Sequence, residues 1–280
     1  MNGDAGNDVT FGGTGNDTLS GGNDNDTING GVGNDTMNGD TGNDKILAGS
    51  GTDVINGGTD TIAVAFNTTV YAGGDWLSYS DSSTGVVVSI GAGSGGTGGA
   101  LGDTWSAVEH LEGSAKKDVL TASNTVGGIV AGGAGHDTIN AGDVVELMRG
   151  DAGYDTLNGK VNNLDLFQAQ YDLGMDRFEF FDNTNATAAL QDKIVVSKAT
   201  FKVDVGAVGT ASVGAALDTA AFLSSTDHVA TSTSHRFIFE TDTKILWADL
   251  DGTGTLFDSV AIAVIDDVTA LSNTNFILIA

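Results

Sequence analysis

Aspartate recurs in this chain at Asp8, Asp17, Asp26, Asp35, Asp44 and Asp53, an unbroken series with a period of nine. Each is preceded by Asn7, Asn16, Asn25, Asn34, Asn43 or Thr52, and that residue by Gly6, Gly15, Asp24, Gly33, Gly42 or Gly51. Glycine also recurs at 3, 12, 21, 30 and 39, with Ala48 continuing the series. Two positions beyond each aspartate stands Thr10, Leu19, Ile28, Met37, Ile46 or Ile55. Carboxylates in such a series can hold a hard cation, which takes six to eight oxygens when it is Ca2+. They cannot be neutralised locally, because Lys45 is the only basic residue in the first 115.

The elements that must position these carboxylates follow from the spacing. Glycines supply the positive-φ turns, and a lone apolar residue between polar ones marks a short strand with one inward face. Nine residues divide into a six-residue turn and a three-residue strand, so two repeats make one coil. Residues eighteen apart then stack at a spacing of about 4.8 Å. Thr10, Ile28 and Ile46 line one inner face, and Leu19, Met37 and Ile55 the other. Six side chains are a thin core, and thin cores need added support. The same stacking puts Asp8, Asp26 and Asp44 down one edge, with Asp17, Asp35 and Asp53 down the other. Like charges so close repel unless a cation sits between them, and Ca2+ with turn carbonyls is the fitting one.

A degenerate second array spans about 113–159. Gly132-Gly133-Ala134-Gly135-His136-Asp137-Thr138-Ile139 and Gly150-Asp151-Ala152-Gly153-Tyr154-Asp155-Thr156-Leu157 are good copies; the copy between them is poor. The pattern G-G-x-G-x-D-x-U-x resembles the calcium-binding nonapeptide of the RTX (repeats-in-toxin) family. That resemblance implies an all-β fold: a calcium-stabilised parallel β-roll, or β-solenoid, with a β-rich C-terminal cap and secretion domain. It also implies Ca2+ held between alternate repeats by position-six aspartates and turn carbonyls. The paired sites are Asp8/Asp26, Asp17/Asp35, Asp26/Asp44, Asp35/Asp53 and Asp137/Asp155, about five ions or more. A further site using Glu146 or Asp118 is disfavoured by the nineteen residues from Asp118 to Asp137. Asp24 stands where the pattern wants glycine, so the expectation is either a strained turn or a different mode of calcium binding there.

Composition bounds the rest. The 280 residues contain no cysteine, no proline and 42 glycines, with a net charge of −26. Disulfides, thiolate metal sites and a thiol nucleophile are excluded. So much negative charge argues against nucleic acid and anionic membranes, which attract basic surfaces. The longest apolar runs, such as Val260 to Ile265, are too short for a transmembrane segment. The opening Met1-Asn2-Gly3-Asp4-Ala5-Gly6 lacks the features of a Sec-type leader. Residues 1–160 hold 36 of the glycines, while ten of the twelve phenylalanines lie after 160. The expected division is array one over 1–60, a strand-rich spacer over 61–112 continuing the solenoid, array two over 113–160, and a β-rich C-terminal domain over 161–280.

In the spacer, Trp76–Tyr79 and Val86–Ile90 read as strands, and Gly91 to Gly102 as a flexible loop. Gly91-x-Gly93-x-x-Gly96 fits a dinucleotide pattern but opens no helix, so it is a chance hit. The C-terminal part predicts strands at Arg177–Phe181, Lys193–Val196, Arg236–Glu240, Lys244–Ala248, Ser259–Ile265 and Asn275–Ile279, and a short helix around Val213–Phe222. Asp249-Leu250-Asp251-Gly252 reads as a turn. Residues 191–197, 237–251 and 276–280 are similar to the C-terminal domain of RTX proteins exported by type I secretion, which implies that an ABC exporter reads the tail.

None of the four histidines lies in H-E-x-x-H, and there is no G-x-S-x-G elbow or P-loop. The expectation is therefore a binding and folding module, not an enzyme. It is secreted or extracellular, from a Gram-negative-type bacterium or a cyanobacterium. Calcium and a type I ABC exporter are its expected partners. Two other readings remain at this stage: a surface-layer or adhesin terminus that contacts the envelope or self-associates, and the C-terminal part of a secreted hydrolase.

Overall fold

The computed structural model describes residues 1–60, 73–94, 96–161, 163–171, 174–185, 187, 191–201, 215–254 and 258–279. The spacer's opening, the start of the expected helix at 213–214, and Ala280 of the apolar tail lie outside them.

The chain is wound as a parallel β-solenoid. One face is a ten-stranded sheet whose neighbours are all parallel. It begins at Val9–Thr14 and ends at Phe276–Ile279. The facing side is split in two. Thr18–Asn23, Thr36–Thr41, Val54–Thr59 and Thr104–Ser106 form four parallel strands. A second ten-stranded sheet starts at Thr97–Gly98 and Val86–Ser89 and ends at Phe222–Ser225.

The eighteen-residue register holds in both arrays, with Ile28↔Ile46, Met37↔Ile55 and Ile139↔Leu157 as direct partners. Both inward rows fall where the spacing puts them. Leu19, Ile28, Met37, Ile46 and Ile55 are at most 1% exposed, and Thr10 is 7% exposed. One expectation needs correcting. Five of the six first-array strands run to six residues, as in Thr27–Val32, while Lys45–Leu47 and the second-array strands Thr138–Asn140 and Thr156–Asn158 keep the expected three. In the six-residue strands the second repeat glycine stays in the ladder, with Gly13 opposite Gly31 and Gly22 opposite Asp40. Between six-residue strands the turn shrinks to about three residues, whereas six residues separate Lys45–Leu47 from Val54–Thr59.

Outside the regular repeats the coil length varies but the inward row does not. Ile46 pairs with Leu77, Leu77 with Leu111, Leu111 with Val130, Met148 with Phe167, Phe167 with Ile194 and Ile194 with Phe276. Strand pairing therefore runs straight across residues 159–163. The aliphatic row becomes aromatic toward the C-terminus. Phe167 lies 5.0 Å from Phe178, and Phe237 lies 5.0 Å from Phe201 and 5.2 Å from Phe276, ring centre to ring centre. Such pairs add about 1 kcal/mol each beyond area burial.

Two loops differ from expectation. The glycine stretch 91–102 is partly ordered: Ile90–Ala92 forms a 3-10 turn, and Thr97–Gly98 pairs antiparallel with Val86–Val87. The indole of Trp105 donates to the Ile90 carbonyl at 2.9 Å, which pins this loop to the core. The described part of the expected helix is a single 3-10 turn, Thr219–Ala221, leading into Phe222–Ser225. Phe222 packs 5.3 Å from Phe276, and that tertiary contact favours a strand over a short isolated helix. At this end Phe237–Glu240, Ile245–Ala248 and Val260–Ile265 pair antiparallel, which ends the winding on that face.

Candidate metal centre

Each position-six aspartate stands immediately before a strand, at the point where the turn closes. Its two carboxylate oxygens have different surroundings. Wherever a coil precedes it, from Asp26 onward, Oδ1 accepts the backbone N–H of the aspartate one coil earlier. Asp26 takes Asp8 N–H at 2.7 Å, Asp44 takes Asp26 at 2.7 Å, Asp35 takes Asp17 at 2.8 Å, and Asp53 takes Asp35 at 2.8 Å. Asp155 takes Asp137 at 2.7 Å in the second array. The structure thus brings together every pair read from the spacing: 8/26, 17/35, 26/44, 35/53 and 137/155.

Oδ2 has no such partner. In Asp8, Asp17, Asp26, Asp35, Asp44, Asp53, Asp137 and Asp155 this oxygen is enclosed and no donor reaches it. From Asp26 onward in the first array, and at Asp137 and Asp155, the residues are at most 3% exposed. Burying a carboxylate oxygen with nothing opposite is costly, and eight in matching positions call for a common counter-group. The first glycine of each repeat shows where it would sit. A Cβ added at Gly30 would lie 2.7 Å from Asp35 Oδ2 and 2.8 Å from the Ala48 carbonyl. One added at Gly132 would lie 2.6 Å from Asp137 Oδ2 and 2.5 Å from the Gly150 carbonyl. Carboxylate and carbonyl oxygens therefore converge on a space that glycine leaves open at these positions. An all-oxygen donor set of this kind suits Ca2+ and not a soft metal.

The electrostatics agree. Burial raises the Asp44 and Asp53 carboxyls to about 6 and Asp137 to about 7, with neighbouring aspartates adding repulsion. Burial also raises Asp155. Lys45 does not relieve the ladder; its Nζ pairs with Glu112 at 2.6 Å.

A second ladder runs beside the first in the opposite sense. Asn7 Oδ1 accepts from Asn25 N–H at 3.1 Å, Asn16 from Asn34 at 2.9 Å, Asn25 from Asn43 at 2.8 Å and Asn34 from Thr52 at 3.0 Å. The spacing shows these asparagines but not this role. Exposed His136 substitutes in the second array, where its Nδ1 accepts from Tyr154 N–H at 3.0 Å. Asp24 sits at φ 74, among glycines at φ 106 to 138 in neighbouring repeats. The expected strain is thus real, and its Oδ2 accepts from Gly6 N–H at 3.2 Å.

The acidic ladder extends well beyond the nonapeptides. Asp75 accepts from Asp44 N–H, Glu109 from Asp75, Asp103 from Asp53, Asp118 from Val86, Asp176 from Asp155 and Asp192 from Asp165. The nineteen residues between Asp118 and Asp137 do not break it, since Asp118 N–H donates to Asp137 Oδ1 at 2.8 Å. Asp103, Asp118 and Asp192 are closed, because their second oxygens accept from Tyr79 Oη, from Ser114 and from Asp182 N–H. Asp75 Oδ2 and both oxygens of Glu146 are buried without a donor, like the repeat aspartates. Burial raises Asp75 to about 8 and Glu146 to about 9. A sequence signal existed for this extension. Asp75-Trp-Leu-Ser, Asp103-Thr-Trp-Ser, Asp118-Val-Leu-Thr, Asp165-Leu-Phe-Gln and Asp192-Lys-Ile-Val keep the D-x-U-x half of the repeat after its glycine half is lost.

Fold and site together define a parallel β-roll with an acidic ladder on each edge. Residues 2–37, 29–61 and 129–157 match the family model of the RTX calcium-binding nonapeptide repeat. The chain carries RTX calcium-binding repeats, and repeats of this family bind Ca2+. A search of curated proteins found no match to the chain. Among the described residues, no helix is long and apolar enough to cross a membrane.

Proposed function

We propose that this chain is a calcium-triggered folding module of a protein exported by a type I ABC system, which stays unfolded in the cell and folds outside it. The observation that carries the reading is the set of eight enclosed Oδ2 atoms without donors, at Asp8, Asp17, Asp26, Asp35, Asp44, Asp53, Asp137 and Asp155. Bound Ca2+ would supply the missing positive charge there, held by those carboxylates and by turn carbonyls such as those of Ala48 and Gly150. At low calcium the facing carboxylates repel, and the thin aliphatic core of the first array does not offset them. An unfolded acidic chain suits passage through an exporter. Where calcium is abundant, binding free energy becomes folding free energy. The C-terminal residues 161–280 then act twice, as an address before export and as the aromatic end of the roll afterwards.

Circular dichroism during calcium titration tests the folding claim. Strand signal should be weak in chelator near neutral pH and rise cooperatively with Ca2+; full strand signal in chelator overturns it. Export is tested by co-expression with a type I exporter. The full chain should reach the medium, and deletion of 276–280 should retain it inside; undiminished export of the deleted chain would remove the tail from this reading.

A further inference from the structure

We propose a divalent-cation site formed by Asp60, Asp75 and Glu109, where the first array meets the spacer. Carboxylate oxygens of the three lie within 4.8 Å of one another. Two oxygens bound to one Ca2+ at its usual bond length can be at most about 5 Å apart, so all three reach a single ion. Asp75 is 0% exposed, and no donor reaches its Oδ2. Asp60 Oδ1 is likewise enclosed without a donor. A Cβ at Gly57 would strike both the Ala107 carbonyl and Asp75 Oδ2. A backbone oxygen therefore converges with the carboxylate on a space left open by glycine. Ala107 itself is held at φ 49.

The neighbouring imidazole does not balance this charge. His110 is buried, and its Nδ1 accepts from Ile129 N–H at 2.9 Å while Nε2 donates to the Gly73 carbonyl at 2.8 Å. It is thus a neutral, oriented ring.

This is not one of the nonapeptide sites. Asp75 and Glu109 lie outside the residues that match the repeat family. Asp60 follows Gly57-Gly58-Thr59, in the place where a repeat has its position-four glycine. Spacings of 15 and 34 residues separate the three acids, so only the winding of the chain assembles them. An ion here ties the end of the first array to the strands Trp76–Ser78 and His110–Glu112. It carries the metal ladder past the point where the repeat sequence stops.

The test counts Ca2+ on the full chain by native mass spectrometry with parallel titrations. Asp60→Asn/Glu109→Gln should bind one ion fewer than wild type at saturation; the glutamine keeps an acceptor for Asp75 N–H. Asp227→Asn/Asp242→Asn, the same charge change at exposed positions, should keep the full count. If the first double variant does not fold in calcium, Asp60→Asn alone should weaken one site by roughly tenfold or more. An unchanged count and unchanged affinities overturn this site alone. A wild-type chain that takes up no Ca2+ overturns it together with the repeat reading.

Discussion

At the scale of the residue, Asp26, Asp35, Asp44, Asp53, Asp137 and Asp155 each have one oxygen committed to the fold and one left over. Oδ1 closes a backbone hydrogen bond between coils, so the side chain is structural even without metal. This makes Asp35→Asn informative. An asparagine can still accept from Asp17 N–H, but it withdraws the charge shared by the 17/35 and 35/53 pairs. The calcium midpoint for folding should rise roughly tenfold, while residual structure in chelator should increase because repulsion is relieved. A midpoint equal to wild type would remove Asp35 from the ligand set. The pH response has a definite sign. Burial raises Asp44 and Asp53 to about 6, Asp137 to about 7 and Asp75 to about 8 in the fold. The unfolded chain should titrate at its ordinary carboxylate values, about 3.9. Protonation thus favours the metal-free fold: this contribution is complete below about 3.9 and is lost as pH rises through 6 to 8. In chelator, strand signal should therefore grow on acidification from pH 8 to pH 5. In calcium the trend reverses, since protons compete with metal and the midpoint rises as pH falls. Equal strand content in chelator at both pH values would contradict this account.

At the scale of the element, the turns are as selective as the strands. Gly6 and Gly33 both occupy position four with positive φ, at 106 and 138. A Cβ at Gly6 meets nothing within 4 Å, whereas one at Gly33 would run into the Gly15 carbonyl of the coil below. Gly6→Ala should cost about 1 kcal/mol from backbone strain alone. Gly33→Ala should cost about 3 kcal/mol or more, because strain and a backbone clash add. Denaturant melts in saturating calcium check this ordering, and equal losses would refute the stacked-turn explanation. The same comparison explains why Asp24 is tolerated. It occupies the left-handed region that aspartate adopts more readily than most residues, and it recovers a hydrogen bond to Gly6.

At the scale of the whole molecule, stability is graded along the solenoid axis. The first array has single aliphatic side chains facing one another and leans on its carboxylate ladder. The C-terminal end has an aromatic core of Phe167, Phe178, Phe201, Phe237 and Phe276, all fully buried, and antiparallel strands that stop the winding. Phe237→Ala should lose about 3–5 kcal/mol and, through linkage, raise the calcium needed to fold the entire chain. If calcium-dependent folding of the first array proceeded unchanged in that variant, the two ends would be independent. The continuous ten-stranded sheet argues that they are coupled.

The sequence by itself determined the period, the inward rows, the parallel coil and the eight repeat aspartates. A nonapeptide is a local code, in which glycine, aspartate and one aliphatic residue act within a single coil and repeat at a constant offset. Where coils vary from eighteen residues to the 31 between Asp44 and Asp75 or the 50 between Asp53 and Asp103, no constant offset exists to be read. The surviving D-x-U-x half-repeat marks Asp75, Asp103, Asp118 and Asp192 in the sequence, but only the tertiary structure decided which coils their carboxylates join. Only the tertiary structure separated the open aspartates from those closed by Tyr79, Ser114 and Asp182. The physical reason is that a carboxylate's second oxygen is satisfied or left over according to a donor brought up from another coil, and chain spacing does not encode where that donor lies.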